Sequence, residues 1–126
     1  MSNLDPKHEI VLRHLMARIR PWEEDRIDAF LARLYPGVYR DYFGALHIAG
    51  KSEDGTDNDT MILDLEKDIW NIMVLPVGYY LTTVCPLSDA EMQDANWDGG
   101  VAAQAYIDWV NEGPHLPDFH LPRHHL

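Results

Sequence analysis

The side chains of this chain best suited to chemistry are a lone cysteine, seven histidines and several groups of closely spaced carboxylates. Cys85 would serve as a nucleophile only with a base or cation beside it to favour the thiolate. It precedes Pro86 in an acidic half of the chain, which disfavours the thiolate, so an inert, buried or half-buried thiol is expected. His47 has the chemistry of a general base but no partner motif, and a packed or half-exposed structural imidazole is expected there. His8-Glu9 begins like a zinc-protease helix, yet Leu12 stands where the second histidine must be. His8 and His14 do not have the spacing of four that would place two ligands on one helical face.

The polar run from Lys51 to Thr60 invites a calcium reading, since Asp54, Asp57 and Asp59 are hard oxygen donors. A loop of the EF-hand type starting at Asp54 would have Asp59 in the glycine position and Leu65 in place of the bidentate glutamate. Starting at Asp57 puts Ile62 and Asp68 in those places, and a solvated turn is expected instead. His115, His120, His124 and His125, with Asp118, follow no defined ligand spacing. Glu23 with Asp28, or Asp64 with Glu66, could flank a glycosidic bond, but in so acidic a chain such pairs are expected by chance. There is no Gly-x-Ser-x-Gly elbow, phosphate-binding glycine loop, Cys-x-x-Cys pair or dinucleotide fingerprint. The expectation is a protein that is not an enzyme and requires no metal or cofactor.

The elements that would carry these residues form a single small α+β domain over 1–113, with an extended Pro/His-rich tail over 114–126. Asp5-Pro6 is an N-cap followed by proline at the first helical position, and the Ile10, Val11, Leu15 and Ile19 stripe predicts a helix ending at Arg20-Pro21. A second helix opens at Pro21 and buries Ile27, Phe30, Leu31 and Leu34 before Tyr35-Pro36-Gly37 stops it. Val38, Tyr42, Ala45, Leu46 and Ala49 recur at helical intervals and predict a short third helix, edged by Tyr39 and Phe43. The apolar stretch from Met61 to Pro86 predicts a three-stranded meander, with Pro76-Val77-Gly78 turning a hairpin between residues 69–75 and 79–84. An alternative for 61–75 is a helix ended by Pro76, which would make the chain all-α. Ser88 and Glu91 have capping-box spacing for a brief helix, and another runs from about Val101 to Asn111 until Gly113-Pro114.

Charge directs the functional reading. Of a formal net charge of −11, none arises before residue 50: residues 50–68 hold seven acids against Lys51 and Lys67, and residues 69–126 seven against Arg123. Such a field repels nucleic acid and anionic membranes and attracts basic partners. No apolar run reaches the roughly 18 residues of a membrane span, the start lacks a secretory signal, and the single cysteine fits the cytoplasm. The acidic half also holds Trp70, Trp97 and Trp109 with Tyr79, Tyr80 and Tyr106, and Trp97 between Asn96 and Asp98 is the one expected in a loop.

These features predict a monomer or homodimer that binds a basic protein, either a nucleic-acid-binding complex or a nuclease, and occludes its site. Anti-CRISPR and anti-restriction DNA mimics and nuclease-immunity proteins work in this way. The expected contact residues are Asp89, Glu91, Asp94, Trp97, Asp98, Asp108 and Glu112, with Glu53, Asp54, Asp57 and Asp59 as a second group. An enzyme of unrecognised class, or a structural or assembly subunit, is the alternative.

Overall fold

The computed structural model describes residues 5–86, 99–113 and 116–122. Among these, two helices precede and two follow a three-stranded antiparallel sheet, the α+β arrangement expected. Helix α1 (Pro6–Ile19) starts where the sequence places it, with the Asp5 carboxylate accepting the Lys7 amide at 2.8 Å. It buries Val11, Leu12, Leu15, Met16 and Ile19. Ile10 falls outside that stripe and is exposed. Helix α2 (Glu24–Leu34) begins after Trp22 and buries the four residues predicted. Trp22 closes its start instead, edge-on to Phe30 at 5.4 Å, with the Arg26 guanidinium 3.9 Å above the indole.

The region predicted as a third helix forms strands. Strands β1 (Val38–Arg40) and β2 (Leu46–Lys51) pair with Tyr39 opposite His47, and β3 (Asp57–Ile62) pairs with β2 on its other side, placing Met61 opposite His47. The two hairpin turns share one design: Asp41-Tyr42-Phe43-Gly44 and Ser52-Glu53-Asp54-Gly55 each place glycine fourth, at φ +84°. Asp or Ser at the first position of a tight turn and Gly at the fourth is the signature of this geometry. Leu46, Ile48 and Ile62 point from one face of the sheet into the core, so by alternation Tyr39, His47, Asp59 and Met61 point away from it.

The segment predicted as a hairpin is a helix. Helix α3 (Lys67–Tyr79) runs straight through Pro76 and passes into a π-helical turn over Tyr80–Val84, closed by the Cys85 amide on the Tyr80 carbonyl at 2.8 Å. Proline at position 76 leaves the Ile72 carbonyl without its helical N–H donor. The buried Tyr35 hydroxyl donates to that oxygen at 2.5 Å, so the proline is accommodated in the core without an orphaned group. Loss of this contact in Tyr35→Phe is expected to cost about 1–3 kcal/mol. In a Pro76→Ala background, where residue 76 regains an N–H, the same change should cost less, as a double-mutant cycle by urea denaturation would show. Full additivity would refute this reading of Pro76.

Helix α4 (Gly100–Asn111) matches the final predicted helix. Helix α1 packs against α3 and α4, while α2 packs against α4 and β1. Residues 116–122 form neither helix nor strand apart from a single bridge at Leu121. Beyond Ile48, where β1 no longer pairs with β2, Leu121 takes up β2's free edge: it lies parallel to Ser52 and donates to the Lys51 carbonyl at 2.9 Å. The Asn58 amide fixes this strap by donating to the Pro122 carbonyl at 2.9 Å and to the Ser52 hydroxyl at 2.7 Å.

Candidate functional site

The outer face of the sheet gathers a polar cluster around His47. Its Nε2 lies 2.8 Å from Asp41 Oδ2 and its Nδ1 2.8 Å from Asp59 Oδ1. Tyr39 stacks on the imidazole at 4.8 Å, with the rings 15° from parallel, and its hydroxyl donates to Asp59. A ring nitrogen facing a carboxylate must donate, and both do, so the arrangement suits the imidazolium. The hydrogen bonds to Asp41 and then Asp59 raise the His47 pKa, and the bond from His47 is the main cause lowering that of Asp41. Tyr39 is raised chiefly by its hydrogen bond to Asp59. In this arrangement neither ring nitrogen holds a free lone pair. The group forms a charged clasp joining the β1–β2 turn to β3.

The clasp carries a pH signature. A histidine whose folded pKa is raised stabilises the fold fully below its unfolded value of about 6.5, and that contribution is lost as pH rises through the folded value. Asp41, being lowered, contributes above its unfolded value of about 3.9 and loses that only as pH falls through the folded one. Between the two unfolded values both contributions are present. Urea midpoints should therefore fall more steeply above neutral pH for the native chain than for His47→Gln, and coincident profiles would contradict the clasp.

Asp41 also builds the turn it belongs to. Its Oδ1 accepts the amides of Phe43 at 2.9 Å and Ala45 at 3.0 Å, and the Arg40 guanidinium donates to the Gly44 carbonyl at 2.8 Å. Arg40 in turn grips Asp28 of α2 through paired bonds of 2.8 and 2.9 Å. The result is a braced turn that displays Tyr42 and Phe43, 96% and 90% exposed, edge-to-face at 5.3 Å. Sequence reasoning assigned this pair to a helix and so did not identify it as a surface feature.

Of the predicted contact residues, Glu53, Asp54, Asp57 and Asp59 come together on the β2–β3 hairpin and are exposed. Lys51 bonds Asp57 at 2.7 Å and lowers its pKa. Asp108 and Glu112 are also exposed but lie on α4 and at its end, on an element separate from the hairpin. Asp89, Glu91, Asp94, Trp97 and Asp98, with the Ser88–Glu91 capping box, lie outside the described residues.

The other aromatics named in the acidic half are buried or half-buried, with Trp70, Tyr79 and Trp109 in the second group. Tyr80 and Tyr106 are buried, and Trp109 packs between them at 5.1 and 6.1 Å. Burial raises the Tyr80 pKa to about 12. Three members of the suspected carboxylate pairs are engaged: Asp28 holds Arg40, Glu66 holds Arg20 at 2.7 Å, and Asp64 accepts the Glu66 and Lys67 amides at the start of α3. Among the described residues no group of three or more side chains has the arrangement of a metal site, and no helix is long and apolar enough to cross a membrane.

The fold and its surface thus define a small α+β domain with one sheet face turned to solvent. Compared with protein families, characterised proteins and solved structures, the chain matches none.

Proposed function

We propose that this chain is a cytoplasmic protein-binding inhibitor without catalytic activity, which occludes a basic nucleic-acid-binding site on a partner by presenting carboxylates where phosphates would lie. The observation that carries this reading is the β2–β3 hairpin, where Glu53, Asp54, Asp57 and Asp59 are displayed as four carboxylates against two cationic partners, Lys51 on Asp57 and the His47 imidazolium on Asp59. Asp57 and Asp59 are two residues apart on one strand and so share one face of it, about 6.8 Å apart along the chain. A partner shaped to neutralise phosphates meets a short row of negative charge here. The two functional types that use this logic are DNA mimics directed against restriction or CRISPR complexes and immunity proteins directed against nuclease toxins.

Charge reversal tests the proposal. With host lysate passed over the immobilised chain, the Asp54→Lys, Asp57→Lys double variant should lose the bound partner. Asp5→Lys with Glu9→Lys, equal in charge change but placed on α1, should retain it. Equal retention by both variants would refute the hairpin as the mimic.

A further inference from the structure

An imidazolium with a carboxylate on each nitrogen has no equivalent neutral form. When His47 gives up its proton, one nitrogen becomes an acceptor and faces a carboxylate oxygen at 2.8 Å with no hydrogen between them. One of the two bonds must then open. Tyr39 stacks flat on the ring, which is only 12% exposed, and this opposes relief by ring rotation, so a carboxylate has to move. Among the described residues, the titratable and charged groups facing the ring are Tyr39 from β1, Asp41 from the β1–β2 turn and Asp59 from β3. Met61, opposite His47 in register, carries no charge, while Arg40 is held by Asp28 and Lys51 by Asp57.

The two carboxylates are not equally free to do so. Asp41 accepts the Phe43 and Ala45 amides through Oδ1, so the backbone of its own turn aims Oδ2 at Nε2 of the ring. Asp59 stands on β3, and its contacts within the cluster are with side chains, the imidazole and the Tyr39 hydroxyl. The Asp59 side chain is 48% exposed against 29% for Asp41, so water can take over its solvation when the imidazole contact is lost. The bond to Asp41 also does more than the bond to Asp59 to favour the charged ring. Which ring nitrogen keeps its proton is set by the stronger and better fixed acceptor, here Asp41 on Nε2.

We propose that His47 is a one-sided proton switch: on losing its proton it keeps the Nε2–H bond to Asp41, releases Asp59, and leaves the β2–β3 hairpin with a carboxylate turned to solvent where an ion pair had been. The β1–β2 turn stays tied to β2, and only the link to β3 opens. The net charge of the cluster falls by one, and the charge unmasked is that of Asp59 on the hairpin. The effect on binding rests on the inhibitor reading above: a basic partner meets an unmasked Asp59 only above the titration of His47, so rising pH favours the complex. The switch itself requires no partner.

Imidazole nitrogen chemical shifts of the isotope-labelled full chain, followed through a pH titration, test the switch on the native sequence. Both ring nitrogens should read as protonated at low pH. Above the midpoint Nδ1 alone should move to the unprotonated position, which defines the Nε2–H tautomer. The midpoint should lie above the ordinary histidine value of about 6.5. Asp59→Asn, whose side-chain amide can donate to a bare Nδ1, should lower the midpoint and keep the tautomer. An Nδ1–H tautomer, an equal mixture of the two, an ordinary midpoint, or both protons kept until the chain unfolds would each overturn the switch. Retention of a partner captured from host lysate should rise across the midpoint more steeply for the native chain than for His47→Gln, and parallel profiles would overturn the effect on binding. Absence of any nucleic-acid-competed partner, with the ring titrating as stated, would refute the inhibitor reading and leave the switch standing.

Discussion

Gly37→Ala should be among the most damaging single substitutions in the chain. A Cβ at Gly37 would lie 1.9 Å from the Ala49 carbonyl oxygen and 2.8 Å from its carbon, both backbone atoms of the central strand. Neither is the movable end of a side chain. The Gly37 carbonyl also accepts the Ala49 amide at 2.9 Å, so β2 cannot withdraw without breaking a ladder bond at the point where β1 begins. An overpacking cost of about 3 kcal/mol is expected, a large fraction of the roughly 5–15 kcal/mol that holds a domain of this kind together. Gly55→Ala provides the comparison: its φ of +84° disfavours alanine, but the space around it is open, so about 1 kcal/mol is expected. Urea midpoints at constant m-value measure both. Equal costs would mean that the close contact of β1 and β2 backbones is wrong.

Tyr106→Ala should be at least as costly, for a different reason. Tyr106 is completely buried, with Phe30 of α2, Tyr80 of the π-helical turn and Trp109 of its own helix at ring distances of 6.2, 5.5 and 6.1 Å. Its removal leaves a cavity shared by three elements, for which about 3–5 kcal/mol is expected. Tyr106→Phe should cost under about 1 kcal/mol, because the hydroxyl has only the Met73 sulfur, 3.6 Å away, as its acceptor. Tyr35→Phe removes the same atom but deprives a buried carbonyl of its donor, and should cost more. The order Tyr106→Ala, Tyr35→Phe, Tyr106→Phe in thermal denaturation distinguishes packing from hydrogen-bond satisfaction.

The elements legible in the sequence were those whose local signals agreed with their surroundings. Asp5-Pro6, the Ile27 to Leu34 stripe and the break at Gly113 mark helices whose one buried face is visible as periodicity. Helix α3 buries Ile69, Ile72, Met73, Pro76 and Val77 on one face, but half-buried Trp70 and Val74 and exposed Leu75 make its other sides apolar too, so the helical period is masked and Pro76-Val77-Gly78 mimics a turn. Only the distant Tyr35 hydroxyl makes that proline tolerable within the helix, and no local pattern discloses it.

Strands β1 and β2 look helical in the sequence because Val38, Tyr42, Leu46 and Ala49 fall by coincidence at intervals of three and four. Asp41-x-x-Gly44 and Ser52-x-x-Gly55 were the available corrective signal. At the site, the exposure of the β2–β3 hairpin carboxylates was legible. The bonds of His47 to Asp41 and Asp59, six and twelve residues away, depend on strand register and were not. Tyr42 and Phe43 escaped notice for the same reason, since their exposure follows from the turn that Asp41 builds.

Competition by duplex DNA tests the central claim most directly. Protein from host lysate held on the immobilised chain at low salt should prove to be one stoichiometric nucleic-acid-binding species, released by added duplex at a concentration matching its own affinity for that duplex. A diffuse set of basic proteins, leaving together at modest salt and indifferent to DNA at constant ionic strength, would contradict mimicry and reduce the acidic surface to a solubilising one.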